Sequence, residues 1–179
     1  MDIDDEELAE YIKKSQKSGR SVSESDLIGD WEYDMPGKDI KYYHFMKPDS
    51  FNTTMKMYYD NPFYSGAIIV THIIGGRWAL NGDSLTLRYS PESIKVEVDR
   101  SGISYRAQMR DSVESFIGNY FQKDRLVEWL RRGLKSNLRK NAYGISTNRA
   151  GDKIELEVGR GDNSENLEVS YIYLKPSKE

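Results

Sequence analysis

The chain contains no cysteine. Disulfides, thiolate zinc sites and cysteine nucleophiles are therefore excluded, while the compartment stays open, because exported bacterial proteins also dispense with cysteine. No apolar run reaches the ~18–20 residues of a membrane-spanning helix. A cationic excess is missing too: 26 Lys+Arg stand against 29 Asp+Glu, which gives no electrostatic reason to expect nucleic acid as a partner.

Catalytic and metal signatures are equally scarce. The two histidines, His44 and His72, belong to no His-x-x-x-His or carboxylate-flanked pattern, so they read as structural residues, and no metal, haem or other cofactor is expected. There is no Gly-x-Ser-x-Gly elbow. The stretch "GLKSNLRK" lacks the Gly-Lys adjacency and upstream glycine of a phosphate loop. Glu97, Asp99, Glu155 and Glu157 alternate onto outward faces of strands, as a solvated surface does and an acid/base pair does not. The expectation is a protein that is not an enzyme.

What is present suits one domain. The 179 residues include 13 tyrosines, and aromatics make up 12%, a composition that favours strands and concave surfaces over disorder. Residues 4–16 carry acidic residues first and Lys13 and Lys14 last, as a short helix would. "SQKSGRSVSESD" then reads as a linker. This divides the chain into an N-terminal helix and flexible linker over residues 1–25 and a folded domain over 26–179.

From Asp26 the period becomes two. Trp31, Tyr33 and Met35 alternate with acidic residues; Ile40, Tyr42, His44 and Met46 form a second inward set; Phe51, Thr53, Met55, Met57 and Tyr59 form a third. "GAIIVTHII" is apolar on both faces, as in a strand that is covered twice or sits at a closure point, and Gly75-Gly76 offers a bend before Trp78. "ALNGDSLTL" reads as a type I′ hairpin with Asn81-Gly82 at its centre. Strands follow at 85–89, 94–98 and 103–107. Helical spacing then takes over, with Asp111 and Glu114 placed as a capping box, and two amphipathic helices, or one kinked helix, occupy about 112–140. Strands resume at 143–147, 154–158 and 167–174. The fold class is mainly β (α+β), an antiparallel barrel with a helical insertion before the last strands, because closure removes exposed edges.

Gly29-Asp30-Trp31 opens the first strand, and "GGRWALNGDSLTLRYS" leads a Gly-x-Trp strand through a tight turn into a Leu-x-Leu strand. These features resemble the lipocalin/calycin superfamily, in particular its small bacterial lipocalin-like domains, over roughly residues 26–108. The resemblance implies that Trp31 plugs the closed end of the barrel, that Gly29 lets the backbone turn beneath it, and that Leu27-Ile28 packs over the base. The chain lacks the Thr-Asp-Tyr motif of typical lipocalins and an arginine on the last strand, so ligand roles do not carry over residue by residue.

Tyr42, His44, Met46, Met55, Met57, Tyr59 and Trp78 are the candidate cavity set. Met and Tyr suit an adaptable pocket for a small apolar molecule, and the same residues serve equally as plain core. Arg131, Arg132, Lys135, Arg139 and Lys140 have no acidic counterweight within 131–140 and stand opposite the Leu126/Leu130/Leu134 stripe. They are candidates for contact with an anionic membrane surface or an acidic protein partner; equally, they complement a helix C-terminus. Arg160-Gly161-Asp162 reads as a turn, and the Asn52-Thr53-Thr54 sequon matters only in a eukaryotic secretory pathway. The sequence starts "MDIDDEELAEYIKK", without the apolar core of a signal peptide. With the acidic tether and the resemblance, an extracytoplasmic location, periplasmic or lipoprotein-anchored through an export signal absent from this sequence, is favoured over a cytoplasmic one.

Overall fold

Alternating side chains bury one face of each strand, and the chain satisfies that demand by curling the sheet on itself. A computed structural model describes residues 20–136, 142–147, 152–158 and 170–177. Strands β1 (Gly29–Asp34), β2 (Ile40–Met46), β3 (Ser50–Tyr59), β4 (Ile68–Asn81), β5 (Ser84–Tyr89), β6 (Lys95–Asp99), β7 (Ala142–Thr147), β8 (Ile154–Val158) and β9 (Ser170–Pro176) are all antiparallel to their neighbours. Eight of them close a ring in the order β3-β2-β1-β9-β8-β7-β5-β4, and β4 returns to β3. The mainly β class, the closed antiparallel barrel and the helical insert before the last strands are thus observed. The expected helix at 4–16, Arg139, Lys140 and the Arg160-Gly161-Asp162 turn lie outside the described residues.

The fourteen residues of β4 organise the wall. One edge pairs with β3 over its length from Ile68 to Arg77. The other pairs with β5 from Gly76 to Asn81 and with β6 from Ile69 to Ile73. β5 and β6 therefore form one broken stave, interrupted by a 3-10 turn at Pro91–Ser93. The Ser93 hydroxyl accepts from the Gly75 N–H at 2.8 Å and stitches that break to β4. β7 reaches β5 only through Ser84–Thr86, so among the described residues no strand lies on the outer side of β6. Helices α2 (Arg110–Tyr120) and α3 (Lys123–Ser136) occupy this place; α3 packs on β6 and on the 3-10 turn. Here α1 is the short turn Glu24–Leu27.

Two apolar clusters fill the interior. The lower one joins Leu27, Trp31, Phe45, Phe51, Trp78 and Leu156 with their neighbours. The upper one joins Met57, Ile68, Val70 and Val96 of the barrel to Val113 and Phe121 of the insert.

Several expectations need correction. Residues 20–25, read as linker, belong to the barrel: Arg20 and Thr147 exchange backbone hydrogen bonds at 2.8 and 3.1 Å, Val22 is buried, and Ser23 caps α1 with Asp26. The β2 parity is the reverse of that expected. Tyr43 and Phe45 face inward, 2% and 1% exposed, and Tyr42, His44 and Met46 face outward. Both parities of β2 carry rings, so alternation alone cannot choose. The ladder chooses, setting Tyr43 opposite Thr53 and Phe45 opposite Phe51, and a one-residue slip exchanges the faces completely. In the β4–β5 hairpin Asn81 is a ladder residue opposite Ser84, and Gly82-Asp83 forms the turn. Gly82 alone has positive φ, at 57°, the pattern of a type II′ turn rather than I′.

At 103–107 only Ser104 bridges, to Ser65, before a 3-10 turn at Ala107–Met109. α2 starts at Arg110 with no side-chain cap. Glu114 does not complete a capping box. It takes a bidentate pair from Arg100, at 3.0 and 2.5 Å, which ties the end of β6 to the helix.

Candidate functional site

Within the upper cluster, bounded on one side by Tyr89 and Tyr143 of the lower one, lies a cavity of about 940 Å³. Its walls follow from strand parity. β3 contributes Met55, Met57 and Tyr59, and β4 contributes Val70, His72 and Ile74. The roof is the apolar face of the insert, where Phe116, Phe121, Leu126, Leu130 and Leu134 recur at helical spacing. Lys41, Thr53, Tyr89 and Tyr143 line its deeper side, against the residues of the lower cluster. Tyr120 and Trp129, 65% and 66% exposed, stand at the mouth.

Charged groups in the lining are few and of one sign. Among the described residues, Lys41 and Arg132 are the charged ones in the lining, and no aspartate or glutamate lines the cavity. The Lys41 ammonium lies 5.0 Å from the centroid of the Tyr43 ring, a cation–π distance. Burial pushes the Tyr43 and Tyr89 phenols well above their ordinary range, and Lys41 offsets part of that for Tyr89. Tyr143 is raised by burial in the same way, again opposed by Lys41. All three hydroxyls therefore keep their protons at neutral pH.

His72 is 7% exposed, and its Nε2 is buried without a hydrogen-bond partner among the described residues. Desolvation lowers its pKa, so the imidazole is neutral. The expectation that His72 is a satisfied structural histidine is thus corrected at this atom.

Of the seven candidate cavity residues, the structure brings Met55, Met57 and Tyr59 together on the wall. Trp78 is buried in the lower cluster, where its indole donates to the Met46 carbonyl at 3.1 Å. Tyr42, His44 and Met46 stay on the outside of β2; His44 there pairs with Asp30, and Tyr42 lies beneath Lys56. At the base, Gly29 has φ 135° and Trp31 is buried.

The basic stretch divides as well. Arg131 pairs with Glu128 at 3.2 Å, a counterweight that lies outside the 131–140 segment. Arg132 lines the cavity rather than standing opposite the apolar stripe, and Lys135 is exposed. Lys41, His72, Tyr89 and Tyr143 line the cavity from outside the candidate set. For Lys41 the signal was Lys41-x-Tyr43-x-Phe45, an inward parity hidden by the competing aromatic set.

No protein-family model matches the chain, and no curated protein matches it.

Proposed function

We propose that the protein is a non-catalytic, lipocalin-like container for a small, largely apolar molecule. One observation carries this reading: a cavity of about 940 Å³, at the upper end of the ~300–1,000 Å³ usual for small-molecule sites, separates a packed barrel half from a helical roof. Methionine and tyrosine side chains on β3 supply adaptable apolar contacts with polar tips. Burial against them contributes about 25 cal/mol per Å² of apolar ligand surface before the costs of binding are subtracted.

A neutral apolar fluorophore, N-phenyl-1-naphthylamine, tests the reading. The wild-type protein is expected to take it up saturably at one site. Met55→Arg, which puts a charge on the wall, is expected to weaken uptake about tenfold or more while near-ultraviolet circular dichroism is preserved. Absence of saturable uptake by the folded wild-type protein overturns the container.

A second reading has its own support. Trp129 and Tyr120 present large aromatic surface to solvent on the helical insert, and exposed aromatics are enriched at protein contacts. In that case the barrel is a scaffold and α2 and α3 meet a protein partner. Loss of partner binding on Trp129→Ser, with fluorophore uptake absent, is the outcome that favours it.

A further inference from the structure

Large apolar side chains that stay in solvent gather at one rim. Among the described residues Tyr59, Phe63, Tyr120, Trp129 and Tyr173 are the exposed ones, and all but Tyr173 belong to the end of β3, the loop after it or the helical insert. Ring contacts run through the group. Tyr59 meets Phe121 at 5.2 Å, Phe121 meets Phe116 at 5.5 Å, and Phe116 meets Tyr120 at 5.1 Å. Phe63 adjoins Tyr64, whose ring lies 6.2 Å from that of Phe116. Trp129 enters from α3 and stands with Tyr59 and Tyr120 around the cavity mouth.

Cations frame the same rim. Arg125, Trp129 and Arg132 follow one another at spacings of four and three residues, so they share one stripe of α3. All three are exposed, as is Lys135. Among the described residues none of Arg125, Arg132 and Lys135 has a carboxylate partner. α3 as a whole holds five cationic side chains against two acidic ones, in a chain whose net charge is −3. It is a positive element of an acidic chain.

The aliphatic residues of α3 take no part in this surface. Leu126, Leu130 and Leu134 line the cavity, which leaves aromatic rings and basic heads facing water. Indole and phenol rings with one wet edge settle at the headgroup level of a bilayer, and Arg and Lys beside them are drawn to anionic lipid. The rings also surround an opening rather than a continuous face. A folded partner would have to fill that opening or leave a void against it, whereas mobile headgroups conform to it. No described helix is long and apolar enough to cross a membrane, so the contact is one of surface.

We propose that this rim docks on an anionic bilayer surface. Trp129, Tyr120 and Phe63 sit at headgroup level, and Arg125, Arg132 and Lys135 meet lipid phosphates. The docking is independent of the container reading, because it uses the outside of the insert and holds whether the cavity is filled or not.

Sedimentation with sucrose-loaded vesicles tests it, using phosphatidylcholine alone and an equimolar mixture of phosphatidylcholine and phosphatidylglycerol. The wild-type protein is expected to bind the mixed vesicles about tenfold or more tighter than the neutral ones. It should leave them in about 1 M salt, where the screening length falls to ~3 Å, and its tryptophan emission should shift to the blue while bound. Arg125→Gln with Arg132→Gln is expected to weaken binding about twentyfold or more, near fivefold for each charge. Trp129→Ser is expected to weaken it about fivefold or more and to abolish the blue shift. Lys153→Gln with Lys175→Gln removes the same charge from the outer wall at β8 and β9, and is expected to leave binding within about twofold of wild type. Near-ultraviolet circular dichroism verifies the fold of each variant.

Equal binding to neutral and mixed vesicles overturns the proposal. So does a loss as large with the Lys153/Lys175 pair as with Arg125/Arg132, which would make net charge rather than the rim responsible. Failure of the folded wild-type protein to bind the mixed vesicles overturns it as well and leaves Trp129 and Tyr120 to a protein partner. The fluorophore titration decides the container separately from all of these results.

Discussion

The indole nitrogen of Trp31 donates to the backbone carbonyl of Leu27 at 2.8 Å, and both residues are buried in the lower cluster. A ring at the start of β1 thereby holds the chain that enters it. α1 needs this contact, because a single helical turn has little stability of its own. Its N-terminus is fixed by the Ser23/Asp26 capping box and by Arg20 pairing with Asp26 at 2.9 Å.

Trp31→Phe keeps most of the buried ring and orphans that carbonyl. It is expected to lower stability by about 1–3 kcal/mol. Trp31→Ala removes the ring too and should cost about 3–5 kcal/mol. Urea unfolding followed by far-ultraviolet circular dichroism reads both, as a lower midpoint with unchanged slope. A midpoint unmoved by Trp31→Ala would mean that the ring does not seal the base.

Gly76 sits where β4 passes from one partner strand to the next. A Cβ there would stand 2.1 Å from the Arg88 carbonyl oxygen and 2.9 Å from the Phe51 ring. Gly76→Ala therefore forces the β4–β5 ladder apart and is expected to cost about 1–3 kcal/mol. Gly118 of α2 has nothing within 4 Å of the same position, so Gly118→Ala should gain about 0.5–1 kcal/mol from helix propensity. Opposite signs for two identical substitutions, measured by thermal unfolding, are the expected result.

Strand period, turn residues and the switch to helical spacing were legible in the sequence because each is local chemistry. The β3 wall followed correctly, since Asn52, Thr54 and Lys56 leave one apolar parity. On β2, Tyr42/Tyr43 and His44/Phe45 offer two apolar parities, and only pairing with β3 and β1 picks one. Lys41 was lost with that choice. The helix start at Arg110 and the Arg100–Glu114 pair depend on where β6 ends in space, which the 103–107 pattern does not encode. His72 was noticed as a residue; its unpartnered Nε2 arises from the cavity, and no sequence pattern carries that.

Two of the three tryptophans, Trp31 and Trp78, are buried, and Trp129 is at the cavity mouth. Acrylamide is expected to quench one emission component readily and the rest poorly. Trp129→Phe should remove the accessible component and leave stability within about 0.5 kcal/mol of wild type. An apolar ligand covering the mouth should shift that component to the blue and shield it. Persistence of the accessible component in Trp129→Phe would place a buried indole in solvent and contradict the barrel packing.

The buried imidazole gives the fold an acid-side dependence of known sign. Burial lowers the folded-state pKa of His72 below its ordinary 6.5. Below that pH the unfolded chain binds a proton that the folded one refuses, so stability falls with pH until the folded-state pKa is reached, and there the dependence ends. Above it both states are neutral and His72 contributes no slope. The slope contributed by this one group is bounded by about 1.4 kcal/mol per pH unit. His72→Phe should flatten the acidic limb relative to wild type, read as unfolding midpoints in urea across the range from neutral pH downward. His44, exposed beside Asp30 on the outer face, is the internal control: His44→Gln should leave that difference between wild type and His72→Phe in place. Parallel acidic limbs for wild type and His72→Phe would show that the imidazole reaches water in the folded state, and the cavity wall at β4 would then have to be open there.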